Sequence, residues 1–359
     1  MRTVCLTWAK LAFPIAGKVS INGDMLIIWL QLAFCASVIA IAGSRLSFYG
    51  DVIADKTGLS GNWIGMILLA SVTSLPELIT GISASALANA PNIAAGNVLG
   101  SCLVNLAMLV VIDFLHNRES FYRRASRNHI LSAGFGVLLV SFIGISILFG
   151  SMTAELAIGH VGIQSFIIVM LYAFAIRTVL VHEREQRKDF SEAVADRYPH
   201  LTLSGALIGY SLAASVVVAA GIWLPFVGTR LAEVMGWNGS FVGALLIAGA
   251  TTLPELAVTI SSIRIGALDM AIANLLGSNL FNTTILAVDD LFYLNGPIYS
   301  NVSPAHAFSA LSAAAMTGLA VIGLASPPAK RLMRSMGWVS IGMLSIYILN
   351  AYVLFYHAQ

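Results

Sequence analysis

Ten stretches of mostly apolar residues recur along this chain, at 25–46, 61–88, 91–115, 129–150, 157–181, 203–223, 239–263, 269–293, 304–325 and 336–356. Each is about long enough to cross a bilayer, which takes roughly 20 such residues in a helix. Helices and closed barrels alone satisfy their own backbone polar groups in hydrocarbon. The pattern therefore predicts an all-α polytopic membrane protein with ten transmembrane helices. Composition agrees: 58% of residues are hydrophobic, 10% are charged, and mean hydropathy is +0.86. A soluble domain carries roughly a quarter charged residues, so the expected partner of the outer surface is the lipid bilayer. The formal net charge of +2 says nothing by itself about partners, and with no nucleic-acid motif present no nucleic-acid partner is expected. Cys5, Cys35 and Cys102 have no metal-ligand spacing, and the latter two read as small packing residues inside apolar runs.

Loop charge sets the expected orientation. Of the 19 Lys and Arg residues, all except Arg2, Lys10, Lys18 and Arg230 fall in loops on one side of a ten-span topology. The positive-inside rule places that side in the cytoplasm and both termini outside, in a plasma or prokaryotic inner membrane. Residues 1–24 read as a short N-terminal arm; Lys10 breaks its apolar run and no cleavage site follows, so retention is expected over removal as a signal peptide. Residues 182–202, which mix both signs of charge, read as a solvated cytoplasmic linker.

The linker separates two related halves, 25–181 and 203–359. When Glu255 is laid over Glu77, Val72-Thr73-Ser74-Leu75-Pro76-Glu77-Leu78 falls on Ala250-Thr251-Thr252-Leu253-Pro254-Glu255-Leu256. Gly50, Ala54, Gly58, Gly61 and Gly65 fall on Gly228, Ala232, Gly236, Gly239 and Gly243. After a one-residue slip, Asn97-Val98-Leu99-Gly100-Ser101-Cys102-Leu103-Val104-Asn105 meets Asn274-Leu275-Leu276-Gly277-Ser278-Asn279-Leu280-Phe281-Asn282, and Asp113 meets Asp290. Five spans per half is an odd number, so the second half enters the membrane in the opposite sense. Such inverted repeats characterise secondary transporters, whose site lies near the midplane where the halves meet.

Each half places one glutamate, Glu77 or Glu255, near the centre of an apolar span. An ionisable side chain there costs at least about 2.5–3.5 kcal/mol and marks a functional site, the alternative being protonated groups that brace helices. Pro76 and Pro254 beside them remove a backbone donor and free carbonyl oxygens in the preceding turn. Thr73, Ser74, Thr251 and Thr252 add hydroxyls one turn earlier, unless each bonds back to its own helix. Carboxylates, hydroxyls and carbonyls form an all-oxygen shell suited to a hard cation such as Ca²⁺; without His or Cys the set disfavours zinc or copper. Ser101 with Asn105, and Ser278 with Asn282, each share a helix face. Their repetition beside the glutamate spans favours ligands over small-residue packing. Asp113, Asp289 and Asp290 lie toward span ends and read as structural, reaching the interface or pairing with loop cations. No nucleophile–base pair, phosphate loop or resident cofactor is indicated, which argues against an enzyme. A cation channel is the other class of reading, and no filter or charged ring supports it.

On these motifs the chain resembles the cation/Ca²⁺ exchanger superfamily, most closely its Na⁺/Ca²⁺ exchanger branch, over nearly its whole length. The resemblance implies that Glu77 and Glu255 are the central Ca²⁺ ligands, with Thr73 and Thr251 assisting. It implies Na⁺ sites that use Ser74, Thr252, Ser101, Ser278 and the carbonyls of Ala70 and Ala248. Ca²⁺ and Na⁺ would then be the transported ions, exchanged by alternating access, with Ca²⁺/H⁺ exchange as the alternative. The chain departs from the family pattern in three places: Asn282 stands where several relatives carry Asp, Cys102 where Asn is usual, and Val72 and Ala250 where Gly is common. With Glu77 and Glu255 as its only carboxylates, the site balances one Ca²⁺ or two Na⁺, and a third Na⁺ would sit in net positive surroundings.

Overall fold

The computed structural model describes residues 21–57, 70–115, 120–186, 198–328 and 336–356. Over these the chain is helical apart from short turns: α1 Ile21–Lys56, α2 Leu75–Ala86, α3 Pro91–Leu115, α4 His129–Leu148, α5 Ile163–Gln186, α6 Leu203–Met235, α7 Gly239–Thr251, α8 Leu253–Arg264, α9 Leu268–Phe292, α10 Ala305–Ala325 and α11 Trp338–Tyr356. Among the described residues, eight helices are long and apolar enough to cross a membrane, or nine if α7 and α8 are one span bent by 45°. Ten were expected. The remaining stretch, 61–88, lies partly outside the described residues; its described part is a helical turn at 70–73 followed by α2.

Helix ends differ from the expected span ends. α1 begins at Ile21, inside the expected arm, and runs on to Lys56; residues 1–20 lie outside the described ones. α5 continues to Gln186, into the expected linker, of which residues 187–197 lie outside. α6 passes through Pro225 and stops at Gly236, whose left-handed φ of 65° suits a residue without a Cβ. Apolar length reports where hydrocarbon ends, whereas a helix continues as long as it has something to pack on. Here α1 and α6 pack antiparallel along their lengths: Trp29 meets Trp237, Phe34 meets Trp223, and Gly209 sits against the ring of Tyr49.

The two segments that carry the glutamate motifs have similar local geometry. α2 and α8 each have 12 residues, and α3 and α9 each have 25. The residue before each short helix leaves helical geometry in nearly the same way, Ser74 at φ −84°, ψ 11° and Thr252 at φ −82°, ψ 5°. Pro76 and Pro254 are the second residues of α2 and α8, where a missing N–H is tolerated because no intrahelical acceptor is owed one. The backbone bonds Ser74 to Ala70 and Leu78 to Ser74 persist on both sides of the first break, as do Thr252 to Ala248 and Leu256 to Thr252 at the second. The chain is bent at these points without being severed.

α3 and α9 are the most enclosed helices: 83% and 78% of their most apolar stretches are buried, against 28% in α1, α5, α6 and α11. α2 and α8 pack beside them. The outer helices expose large apolar side chains, among them Leu30 and Ile41 on α1, Met170 on α5 and Leu212 on α6. Buried polar residues instead concentrate on α2, α3, α8 and α9. Apolar outside and polar within is the distribution that lipid demands.

The three aspartates placed toward span ends are fully buried rather than interfacial. Asp113 accepts hydrogen bonds from the Ser120 hydroxyl at 3.0 Å, the Gly337 N–H at 3.0 Å and the Ser340 hydroxyl at 2.7 Å, which anchors the first turn of α11. Asp290 likewise accepts from the Gly162 N–H at 2.8 Å, the Ser165 hydroxyl at 2.6 Å and the Ile298 N–H at 2.6 Å, anchoring the first turn of α5. Carboxylates favour helix N-termini because free N–H groups converge there. Asp289, next to Asp290, has no such partners among the described residues.

Candidate cation site

The breaks before α2 and α8 bring Glu77 and Glu255 into the centre of the bundle, where both are fully buried and Glu77 lies within electrostatic reach of Glu255. A straight helix would carry its carbonyls and hydroxyls past this level. The bend holds them there, aided in the second half by a π-helical stretch, Val242–Ile247, just upstream. Glycines on α3 make the approach possible. A Cβ on Gly100 would overlap the Ala244 carbonyl, and one on Gly96 would lie 2.9 Å from the Ala244 nitrogen, so α3 crosses α7 backbone to backbone.

Each glutamate is surrounded by hydroxyls from both halves. Oε1 of Glu77 accepts from Ser101 at 3.3 Å, and Oε1 of Glu255 accepts from Ser74 at 3.0 Å. Thr251 also interacts with the Glu77 carboxyl, and Thr73 and Ser278 with that of Glu255. The equivalent pairs Ser101/Thr251 and Ser278/Thr73 thus serve the two glutamates reciprocally, each threonine coming from the opposite half. Thr73 and Ser278 lie 3.3 Å apart, and both reach the Ala70 carbonyl, at 2.9 and 3.4 Å. The Ala248 carbonyl accepts from Thr251 at 3.2 Å and Thr252 at 2.7 Å.

The asparagines divide. Asn105 donates to the Asn279 side chain at 3.0 Å, while Asn282 has no oxygen or nitrogen partner among the described residues and lies against the Cys102 thiol. Asn279 in turn donates to the Cys102 carbonyl at 3.2 Å. Cys102 and Asn279 are equivalent positions of the two repeats, so they meet where the halves cross. Oε2 of both glutamates and Oδ1 of Asn105 are buried without a protein hydrogen bond. Buried oxygens are normally engaged; among the described residues one carboxylate oxygen of each glutamate is left without a protein donor. Among the described residues there is no cluster of three or more His, Cys, Asp and Glu suited to a metal, so a cation here would rest on two carboxylates with neutral oxygens filling the shell.

All twelve residues singled out from the sequence are buried. The Thr252 hydroxyl is turned back onto its own helix, and Asn105 toward Asn279 rather than toward either glutamate. Asn97 was not singled out. Its amide donates to the Glu77 carbonyl at 3.0 Å and its oxygen accepts from Thr251 at 3.0 Å, tying the two halves together. The signal for it was present: it opens the repeated segment and lies one turn before Ser101. Its equivalent, Asn274, is buried with no protein partner for either side-chain polar atom among the described residues.

The sequence model of the family described as sodium/calcium exchanger protein matches residues 27–181 and 203–356, leaving out the segment between the repeats. Inner membrane protein YrbG of Escherichia coli is 26% identical over 69% of this chain and 74% of its own. Sodium/calcium exchanger MaX1 of Methanosarcina acetivorans is 26% identical over 68% of this chain and 77% of its own. The crystal structure of the H+/Ca2+ exchanger CAX superposes with a TM-score of 0.64 at 14% identity, covering 99% of this chain and 90% of that one, a likeness of fold.

Proposed function

Since this chain belongs to the sodium/calcium exchanger protein family, and is a multi-pass membrane transporter rather than an enzyme, we propose that it is a secondary active antiporter that exchanges Ca²⁺ for Na⁺. One observation carries the reading: Glu77 and Glu255, one from each repeat, are buried together, each with one carboxylate oxygen held by a serine and the other without a protein partner. Ca²⁺ would bind both carboxylates, with hydroxyls and carbonyls of Thr73, Thr251, Ala70 and Ala248 completing its shell. Na⁺ would use overlapping oxygens, including those of Ser74, Thr252, Ser101, Ser278, Asn105 and Asn282. Two ions that compete for one set of oxygens cannot be bound together, and that competition is what couples their movements.

The two halves, read as inverted repeats, would rock against one another to open this midplane site to each side in turn. Loop charge supports cytoplasmic placement of the 182–202 segment and external termini.

Ca²⁺/H⁺ antiport is the second reading. Two carboxylates that release one Ca²⁺ can each take up a proton, and the fold is also that of an H+/Ca2+ exchanger. Uptake of ⁴⁵Ca²⁺ into vesicles under imposed Na⁺, K⁺ or H⁺ gradients separates the readings. Glu77→Gln and Glu255→Gln should each abolish uptake under every gradient. Normal transport by either variant would refute the site.

A further inference from the structure

The proposed ion site leaves one fully buried carboxylate unused. Asp289 lies on α9, two turns beyond Asn282 and on the same helix face. Among the described residues, no protein group donates to either of its oxygens. Its neighbour Asp290 collects three donors. Asp289 is instead pressed on the backbone of α2: a Cβ built on Gly81 would lie 2.5 Å from both carboxylate oxygens. Gly81 is one turn beyond Glu77, so the helix that carries the central glutamate also covers Asp289.

The imidazole on this side is His160, whose Nε2 lies 2.9 Å from the Leu291 carbonyl; when protonated it bears on Asp290, which holds its own donors, and it makes no hydrogen bond to Asp289. The titratable groups close enough to bear on Asp289 are Asp290 and Tyr299, with Glu77 a turn away along α2. The other helices packed on α9 place their charged groups elsewhere. His129 of α4 bonds Asp269 at the opposite end of α9, Glu255 of α8 is held by Ser74, Asp113 of α3 by Ser120 and Ser340, and Arg177 of α5 and Arg264 of α8 are exposed. Among the described residues an ionised carboxylate in such a place lacks donors and sits beside a second carboxylate, a costly arrangement in a buried site. A neutral carboxyl packs against a glycine backbone without that cost.

We propose that Asp289 is a proton-binding site governed by α2: it holds a proton while packed on Gly81, and releases it when α2 moves away from α9 and water enters. On release the carboxyl O–H bond breaks, the proton passes to water, and the carboxylate is left hydrated. Return of α2 requires the proton back. Because Glu77 and Gly81 share a helix turn, the movement that exposes Asp289 also displaces a ligand of the central site. This coupling rests on the antiport reading, whereas the proton site itself does not.

The test uses the purified full chain in lipid. Infrared difference spectra between Ca²⁺-loaded and Ca²⁺-free protein should contain the C=O stretch of a protonated carboxylic acid, absent in Asp289→Asn, whose amide mimics the neutral acid. In proteoliposomes that variant should still carry ⁴⁵Ca²⁺, with a pH dependence of up to roughly tenfold per pH unit, the limit for one proton, flattened to less than about twofold. A protonated-acid region in Asp289→Asn identical to that of the wild type, with no band lost, or a wild-type pH profile in that variant, would overturn the proposal. Should the variant not fold, ¹³C-labelling of aspartate in the wild-type chain decides: the band must shift, and an unshifted band overturns the assignment. An aspartate band in a chain without Ca²⁺ flux would refute the antiport reading and support the proton site.

Discussion

The Ser74 hydroxyl donates to Oε1 of Glu255 at 3.0 Å, so the helix break of the first repeat steadies the glutamate of the second. The relationship is not reciprocated, because the equivalent Thr252 hydroxyl donates to the Ala248 carbonyl of its own helix at 2.7 Å. Hydrogen bonds to charged groups contribute about 1.5–3 kcal/mol. Ser74→Ala is therefore expected to raise the KM for Ca²⁺ by roughly 10- to 100-fold, whereas Thr252→Ala should change it by less than about threefold. Concentration-dependent ⁴⁵Ca²⁺ uptake measures both, and equal effects would show that the asymmetry has no functional weight.

A second asymmetry concerns the glycines that begin the Gly-Ser motifs. A Cβ on Gly100 runs into the Ala244 carbonyl in the π-helical stretch, while one on Gly277 meets only the Ala70 methyl, at 3.0 Å. Backbone yields less readily than a side chain, and overpacking costs about 1–3 kcal/mol. Gly100→Ala should lower the melting temperature in detergent distinctly more than Gly277→Ala. The reverse order would mean that the α3–α7 crossing tolerates expansion.

The glutamates, the prolines and the doubled motifs could be read from the sequence because a charge in hydrocarbon and a repeated segment are both improbable without a cause. The structure added that Ser74 and Thr252 act differently, which their shared hydroxyl chemistry conceals. It also added the burial of Asp113 and Asp290. Hydropathy places both near span ends, but their donors, Gly337 with Ser340 and Gly162 with Ser165, are distant in sequence and adjacent only after folding. The run of α1 to Lys56 escaped for a similar reason: its continuation depends on α6 beside it, and apolar length reports only the bilayer.

Asp290 offers a stability test separate from transport. Replacing it with alanine strips the acceptor from two buried N–H groups, Gly162 and Ile298, and from the Ser165 hydroxyl. Each buried donor left unpaired costs about 1–3 kcal/mol, so Asp290→Ala should lower thermal stability by several kcal/mol. The chain that does fold should bind Ca²⁺ with near wild-type affinity, because Asp290 anchors α5 and does not line the site. Unchanged melting with lost Ca²⁺ binding would place Asp290 among the ion ligands instead.

Asn282 bears on how many ions move. Among the described residues its two polar atoms are buried without an oxygen or nitrogen partner, and the position is one turn beyond Ser278 on the same helix face. With Glu77 and Glu255 as its only carboxylates, the site is neutralised by one Ca²⁺ or two Na⁺. A third Na⁺ would enter a net positive cluster in surroundings where charge is weakly screened. Wild-type exchange is therefore expected to be electroneutral, with ⁴⁵Ca²⁺ flux in proteoliposomes insensitive to an imposed membrane potential. Asn282→Asp adds the third carboxylate without changing side-chain size. It should admit a third Na⁺, make the flux voltage-dependent, and raise the Hill coefficient for Na⁺. Voltage-dependent flux in the wild-type chain would mean that Na⁺ draws on a negative charge beyond the two glutamates.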